Sequence, residues 1–232
     1  MEQPGSSWLS CLTRESETPM IEKDIFITFM RHGRSRADDE QVLEGRYDSP
    51  LTEVGREQVT RRARQWLDAG VCYDRIVAST LARARTSAEI VGRVLQVQVD
   101  LDPDWMEMDN GPLAGLSHDE AQERYPRPAF RNPYEGLAGS GESEWDLQSR
   151  AARAVQSVIR RGPGRYLVVA HGGILNAALR HVVGAQVPLN GQGIWFEFDD
   201  TGYYETVYAP TRHTWILKNT CFQLLISAYT EN

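Results

Sequence analysis

The sequence predicts an α/β fold: a three-layer sandwich with a mostly parallel central sheet and helices on both faces. Three observations predict it. Two short runs, Ile25-Phe26-Ile27-Thr28-Phe29-Met30 and Tyr166-Leu167-Val168-Val169-Ala170, carry no charge and are rich in β-branched and aromatic residues, as strands buried on both faces are. Each run leads into a His-Gly pair and then a helical pattern. Between them, apolar runs of strand length alternate with amphipathic stretches of helix length, the order that builds a sheet with helices packed against it.

Residues 1–23 are polar and hold Pro4, Gly5, Ser6, Ser7 and Pro19, so a loosely ordered, flexible extension is expected there, with a single domain over 24–232. The first strand spans 25–30. After a polar stretch, Gly45, Asp48, Ser49 and Pro50 form a loop. Thr52 caps a helix over 53–68 whose inward face is Val54, Val59, Ala63 and Trp66 or Leu67, and Gly70 ends it. Arg75-Ile76-Val77-Ala78 is a short strand. A helix over 81–94 follows, with Leu81, Ala84, Ala88, Val91 and Leu95 along one side, then a strand at Val97-Gln98-Val99. Residues 103–116 read as a loop. Ser117 and Glu120 make a capping box for a short helix to about Tyr125. Pro126, Pro128 and Pro133 mark 126–141 as a lid or insertion. Ser143 caps a helix to about Arg161, Gly162-Pro163-Gly164 breaks it, the second buried strand follows, and a helix runs over 174–183. Residues 193–198 and 203–209 are expected to pair as a hairpin around Asp199-Asp200-Thr201-Gly202, with 214–217 as an edge segment.

At 232 residues the chain is long enough for one domain with a substantial core. A formal net charge of −7 argues against a general nucleic-acid binder, which needs a basic face. No apolar run approaches the ~18 residues of a membrane span, and the acidic, interrupted amino terminus lacks the pattern of a signal peptide. Cys11, Cys72 and Cys221 are scattered, with no spacing for a metal site or a disulfide framework, so reduced thiols in a cytoplasmic protein are expected.

Chemistry concentrates where the two buried strands end, the edge at which open α/β sheets bind ligands. His32 follows the first strand and His171 the second. Each precedes a glycine, which lets a ligand approach the backbone, and a helix whose first N–H groups and dipole suit a phosphate. Arg31, Arg34 and Arg83 add cations that bind phosphoryl oxygens bidentately and keep their charge. A neutral imidazole attacking phosphorus needs its other nitrogen held, the equatorial oxygens stabilised and the leaving oxygen protonated. His32, the arginines with His171, and Glu107 can fill these roles. The arginines supply the charge a magnesium ion would, so neither a metal nor a cofactor is expected.

Four separated motifs stand in the order found in the histidine phosphatase superfamily, and the chain resembles the phosphoglycerate mutase-like branch of it over about residues 25–185. Arg31-His32-Gly33-Arg34-Ser35 looks like the family's Arg-His-Gly signature, and Gly45 through Gly55 like its Gly-x-x-Asp-x-Pro-Leu-Thr-x-x-Gly segment. Ser79 through Ala88 is similar to its Ser-x-Leu-x-Arg-Ala-x-x-Thr-Ala helix, and Ala170-His171-Gly172-Gly173 to its second histidine motif. Glu107 with Gly111 and Gly115 matches the acid segment, and Gly141-Glu142-Ser143 a further tripeptide. The resemblance implies a phosphoglycerate mutase-like fold and a phosphohistidine mechanism. His32 would be the nucleophile, Arg31, Arg83 and His171 would bind the phosphoryl group, and Glu107 would donate the proton. Arg34, Ser35, Asp38, Gly45, Arg46 and Gly172 would lie around the substrate.

Two residues depart from the family pattern. Arg34 replaces an acidic or amide residue, which should make the pocket more positive. Asp38 stands where an asparagine often touches the phosphate, and Arg34 or Arg36 is expected to neutralise it. The leading expectation is a metal-independent phosphatase acting on a small phosphate monoester. The alternatives are a mutase, which returns the phosphoryl group to a bound acid, and a non-catalytic phosphate-binding or scaffold protein. Mutases of the family carry a longer insertion with paired arginines that grip a carboxylate. Here the span from Glu107 to His171 is shorter and Arg127 and Arg131 are separated, which favours the phosphatase. The expected partner is a small phosphorylated metabolite, with no nucleic acid and no membrane. Aromatic residues such as Tyr203 and Tyr204 permit a homodimer.

Overall fold

The computed structural model describes residues 23–221, so the expected extension at 1–22 lies outside the described residues. Six strands form one sheet: β1 (Ile25–Arg31), β2 (Arg75–Ala78), β3 (Val99–Leu101), β4 (Gly164–Ala170), β5 (Tyr203–Ala209) and β6 (Thr214–Cys221). Their spatial order is β3-β2-β4-β1-β5-β6. The first four are parallel neighbours, and β5 and β6 add an antiparallel margin. The helices are α1 (Arg36–Glu40), α2 (Glu53–Asp68), α3 (Ala82–Leu95), α4 (His118–Arg124), α5 (Glu144–Ile159) and α6 (Gly172–Val183).

Alternation along the strands builds two cores, one on each face of the sheet. Ile25, Ile27 and Phe29 of β1 join Tyr166, Val168 and Ala170 of β4 beneath α5 and α6. Met30, Leu167 and Val169 point the other way, against α2 and α3. Trp105 is fully buried in the first core and packs on Phe29 with ring centroids 5.9 Å apart. It anchors the short turn Pro103–Trp105 just ahead of Glu107.

Several boundaries move for local reasons. α2 has the expected span, but Val54 and Leu67 are exposed, because Gly55, Val59, Ala63 and Trp66 take the inward face. β3 starts at Val99 because Gln96 closes α3 in the left-handed conformation and the Val97 N–H turns back to the Gly92 carbonyl. The polar stretch after Ser35 holds the short helix α1, capped by Ser35. Both halves of the Ser117–Glu120 capping box form ahead of α4. α6 opens two residues earlier than expected, at Gly172.

The expected hairpin is corrected. Residues 193–198 join no strand. The buried Asn176 side chain takes the Phe196 N–H at 2.7 Å and donates to the Phe196 carbonyl at 2.9 Å, replacing the bonds a strand partner would make. The true hairpin is β5–β6, and β6 is the edge strand. Tyr204 is buried among Phe196 and Phe198 and Tyr203 packs on Trp66, so Tyr204 offers no surface to a second copy. No helix among the described residues is long and apolar enough to cross a membrane.

Candidate active site

Parallel pairing sets the centre of the site. Arg31 of β1 stands opposite Ala170 of β4, so the next residues, His32 and His171, fall side by side. The His32 N–H donates to the Ala170 carbonyl at 3.0 Å, and the two imidazole centroids are 5.1 Å apart. Nδ1–H of His32 donates to the Gly33 carbonyl at 2.7 Å, since a carbonyl can only accept. Nε2 therefore carries the lone pair, and Arg83 Nε–H points at it from 3.2 Å. His171 is held through Nε2, 2.8 Å from Ser79 Oγ. Its Nδ1 is buried and has no hydrogen-bond partner among the described residues. A buried polar atom left so is costly unless a ligand meets it. Burial drives both histidines well below their ordinary 6.5, and Arg83 pushes each the same way. Both are neutral at neutral pH, as a nucleophilic imidazole must be. The turn after β1 needs its glycine: a Cβ on Gly33 would stand 2.5 Å from the Gly55 carbonyl oxygen.

Arg83 enters from the first turn of α3. That helix has no side-chain cap of its own, and Asp48 Oδ1 accepts the Ala82 N–H at 2.6 Å instead. The guanidinium is fully buried and donates to the Tyr47 and Gly45 carbonyls at 3.0 and 2.9 Å, so Gly45 serves by fixing Arg83. Arg31 donates to the Phe198 carbonyl at 3.1 Å and lies 3.6 Å from Asp200.

The expected neutralisation of Asp38 is corrected. Its partner is Arg31, at 3.4 Å, while Arg34 pairs with Asp39 at 2.6 Å and Arg36 with Glu40 at 3.0 Å. Those two acids stand one and two residues further along α1, closer to the two arginines on its outer side. Arg34 thus has Asp39 as its nearest acid, and the charges of Asp200 and Asp38 also act on it. Asp38 closes the capping box of α1, accepting the Ser35 N–H at 2.7 Å and its hydroxyl at 2.9 Å. Ser35 also bonds Glu44. Sequence reasoning missed Glu44 and Asp200, because nothing in a polar loop or an Asp-Asp turn marks which carboxylate will fold inward. Glu44 Oε2 lies 3.7 Å from His32 Nε2 and 3.3 Å from Arg83 Nε.

Glu107 sits on the amino end of α6, which arrives with His171. Oε1 accepts the Met108 and Ile174 N–H groups at 2.7 and 3.0 Å, and Oε2 accepts the Gly173 N–H at 2.9 Å. A Cβ on Gly173 would stand 2.5 Å from Oε1, so only glycine admits the carboxylate. Arg150, also missed, holds the loop below it. This buried arginine donates to the carbonyls of Asp104, Met106 and Glu107 and pairs with Glu142 at 2.6 Å. Its signal was available: a charge on the apolar stripe of Leu147, Ala151 and Ala154 on α5. Arg46 reaches the same loop, 3.2 Å from Asp109 and 3.4 Å from the Glu107 carbonyl, rather than the imidazoles. Gly172 starts α6, and a Cβ there would meet nothing within 4 Å.

Beside Glu107 lies a cavity of about 380 Å³, which Met108 and Gly173 line from the side of Glu107. Arg127, Arg131, Arg180 and Glu144 line it too, with Ile194 and Trp195. Arg131 and Arg180 share Glu144, at 3.1 and 3.8 Å. Arg127 and Arg131, separated in sequence, thus face one space, and the 126–141 segment and the 188–195 loop both border it.

A family model described as the histidine phosphatase superfamily (branch 1) matches residues 27–220. The chain is 30% identical over 162 residues to the probable phosphoglycerate mutase GpmB of Escherichia fergusonii, covering 68% of this chain and 74% of that one. Its fold is similar to that of the mycobacterial glucosyl-3-phosphoglycerate phosphatase in complex with VO3. That match has a TM-score of 0.72 at 22% identity, over 84% of this chain and 97% of the other. It is also similar to YhfR of Bacillus stearothermophilus, with a TM-score of 0.69 at 25% identity, over 83% and 95%. With paired histidines at the ends of neighbouring strands, a buried arginine on His32 and the family model spanning almost all described residues, the chain belongs to the histidine phosphatase superfamily.

Proposed function

We propose that this protein is a phosphatase that hydrolyses small phosphate monoesters through a phosphohistidine. The observation that carries the reading is the state of His32: Nδ1–H is fixed on a carbonyl and a lone pair stands on a buried, neutral Nε2 beside Arg83. Nε2 attacks phosphorus, the N–P bond forms and the P–O bond to the leaving group breaks with its electron pair on oxygen. Arg31, Arg83 and His171 Nδ1 hold the equatorial oxygens as charge builds there. Glu107 Oε2 accepts only one N–H, so it keeps a lone pair for the proton it passes to the leaving oxygen. Water then attacks the phosphohistidine, Glu107 takes its proton, and the N–P electron pair returns to His32. The leaving group occupies the cavity beside Glu107, whose arginines favour an organic portion that carries its own anionic group.

One observation favours a second reading. Arg127 and Arg131 meet in that cavity with Arg180, which removes the separation that argued against a mutase. The test is phosphate release from a panel of monoesters, 3-phosphoglycerate included, with EDTA present and His32→Ala as control. Release by the wild type alone supports the phosphatase. Interconversion of 2- and 3-phosphoglycerate without release supports the mutase. Release that His32→Ala retains overturns the nucleophile.

A further inference from the structure

The phosphoryl pocket holds more negative charge than its task suggests. Arg31 and Arg83 are its cations, and both are already paired, Arg31 with Asp38 and Asp200 and Arg83 with Glu44. Glu44 stands closest to the chemistry of these acids. Its Oε2 is 3.7 Å from Nε2 of His32 and 3.3 Å from Arg83 Nε, and its Oε1 accepts the Ser49 hydroxyl at 3.2 Å and touches Ser35 Oγ, whose proton is shared with Asp38. A phosphorus atom poised for attack sits roughly 3–3.5 Å from Nε2, so its oxygens must share space with Oε2. An ionised carboxylate and a phosphoryl dianion repel strongly in a site screened from water. Arg83 also cannot serve both fully.

We propose that Glu44 is a phosphoryl-recognition residue that works as the neutral acid. Protonated, its Oε2–H donates to a phosphoryl oxygen and frees Arg83 for the same group. Ionised, it keeps Arg83 and repels a dianion. Binding of a dianionic phosphoryl group therefore takes up one proton, and the pocket prefers such ligands at acid pH. The inference rests on the phosphatase reading for where the phosphoryl group lies.

The surroundings agree with that chemistry. His32 and Arg31 face Glu44 from the end of β1, Ser35 and Asp38 from the cap of α1, Ser49 from the loop before α2, and Arg83 from α3. Burial pushes the Glu44 carboxyl above its ordinary range and Asp38 adds to it, against Arg83, Ser35 and Arg31. Both histidines are driven the other way; burial raises the Asp200 carboxyl as well as that of Glu44, and of the two it is Glu44 that stands beside His32 Nε2.

The test is sulfate binding to the full-length protein by calorimetry between pH 5 and 8, in two buffers of different ionisation enthalpy. Sulfate remains a dianion over that range, so any proton taken up belongs to the protein. The wild type should take up about one proton per sulfate and lose affinity by up to tenfold per pH unit above the free carboxyl's pKa. Glu44→Gln, which keeps the shape and both histidines, should bind at least tenfold tighter at pH 7.5 and without that proton. Wild-type binding with no proton uptake, the same uptake in Glu44→Gln, or no sulfate binding at pH 5 would each overturn the proposal. Because binding at equilibrium needs no turnover, failure of the phosphatase reading appears separately, as absence of phosphate release.

Discussion

Arg83 Nε donates to the lone pair of His32 Nε2 at 3.2 Å, so in the proposed mechanism the cation that holds the phosphoryl group first holds the nucleophile. This bond must open as the phosphorus approaches, and the guanidinium then turns to the equatorial oxygens. Arg83 also helps to keep His32 neutral. Arg83→Gln should therefore lower kcat by about 10²–10³ through lost oxyanion stabilisation. Removing the positive neighbour should also raise the His32 pKa, so the acid limb of the pH–rate profile moves to higher pH. A profile of kcat against pH for both proteins checks the sign, and an unmoved limb would show that burial alone sets the His32 state.

Ser79 aims the second histidine. Its hydroxyl is the partner of His171 Nε2, leaving Nδ1 for the phosphoryl group. Ser79→Ala should let the ring rotate and lower kcat by about 10–100-fold, the scale of a misplacement near 1 Å. Ser79→Thr keeps the hydroxyl and should recover part of that loss. Equal damage by both variants would assign Ser79 to packing alone.

Arg150 and Glu142 position Glu107, the proposed proton donor, through the backbone. Arg150 grips three carbonyls of the 104–107 loop, including that of Glu107, and Glu142 fixes Arg150. Glu142→Gln should slow alkyl phosphates, whose leaving alkoxide needs a proton, by about tenfold or more. It should hardly affect p-nitrophenyl phosphate, whose leaving group needs none. Comparing kcat on the two substrates checks this, and equal losses would count against a role in proton donation.

Much of the fold was legible because its signals are local. The two charge-free strands, the Thr52 and Ser143 caps and the capping box at Ser117 depend on neighbours within a few residues. Their register brings His32 and His171 together, which the repeated strand-His-Gly pattern foreshadows. What escaped the sequence is tertiary. Asp38 takes its charge partner from β1 rather than from its own helix, Glu44 and Asp200 fold inward from loops, and Asn176 replaces a strand for 193–198. The separation of Arg127 and Arg131 says nothing of the cavity where they meet.

Asp48 caps a helix it does not belong to. Its bond to the Ala82 N–H is the side-chain cap of α3, one residue from Arg83. Asp48→Ala should cost about 0.5–2 kcal/mol, the range for a lost cap. That corresponds to a fall in Tm of roughly 1–8 °C in a domain of this size, at about 2–4 °C per kcal/mol. Activity should fall as well, because the first turn of α3 carries the guanidinium. A melting curve together with kcat checks both, and a lost cap without lost activity would show that the carbonyls of Gly45 and Tyr47 suffice to hold Arg83.

The buried histidines set a pH dependence of stability. His32 and His171 have folded pKa values well below the ordinary 6.5. As pH falls below that value the unfolded chain binds protons that the native chain refuses, so native stability present above it is lost. Unfolding at a series of pH values from 7.5 to 5 should show this loss, reduced in His171→Asn. A wild-type curve that is flat across this range would contradict the neutral buried pair.

The most direct test of the account is to trap the intermediate. The protein is exposed briefly to a radiolabelled monoester, quenched and digested, and the labelled peptide is sequenced. The label should be labile in acid, stable in base, located on His32 and absent from His32→Ala. A protein that releases phosphate yet carries no such label, or carries it on another residue, would contradict the claim that His32 takes the phosphoryl group.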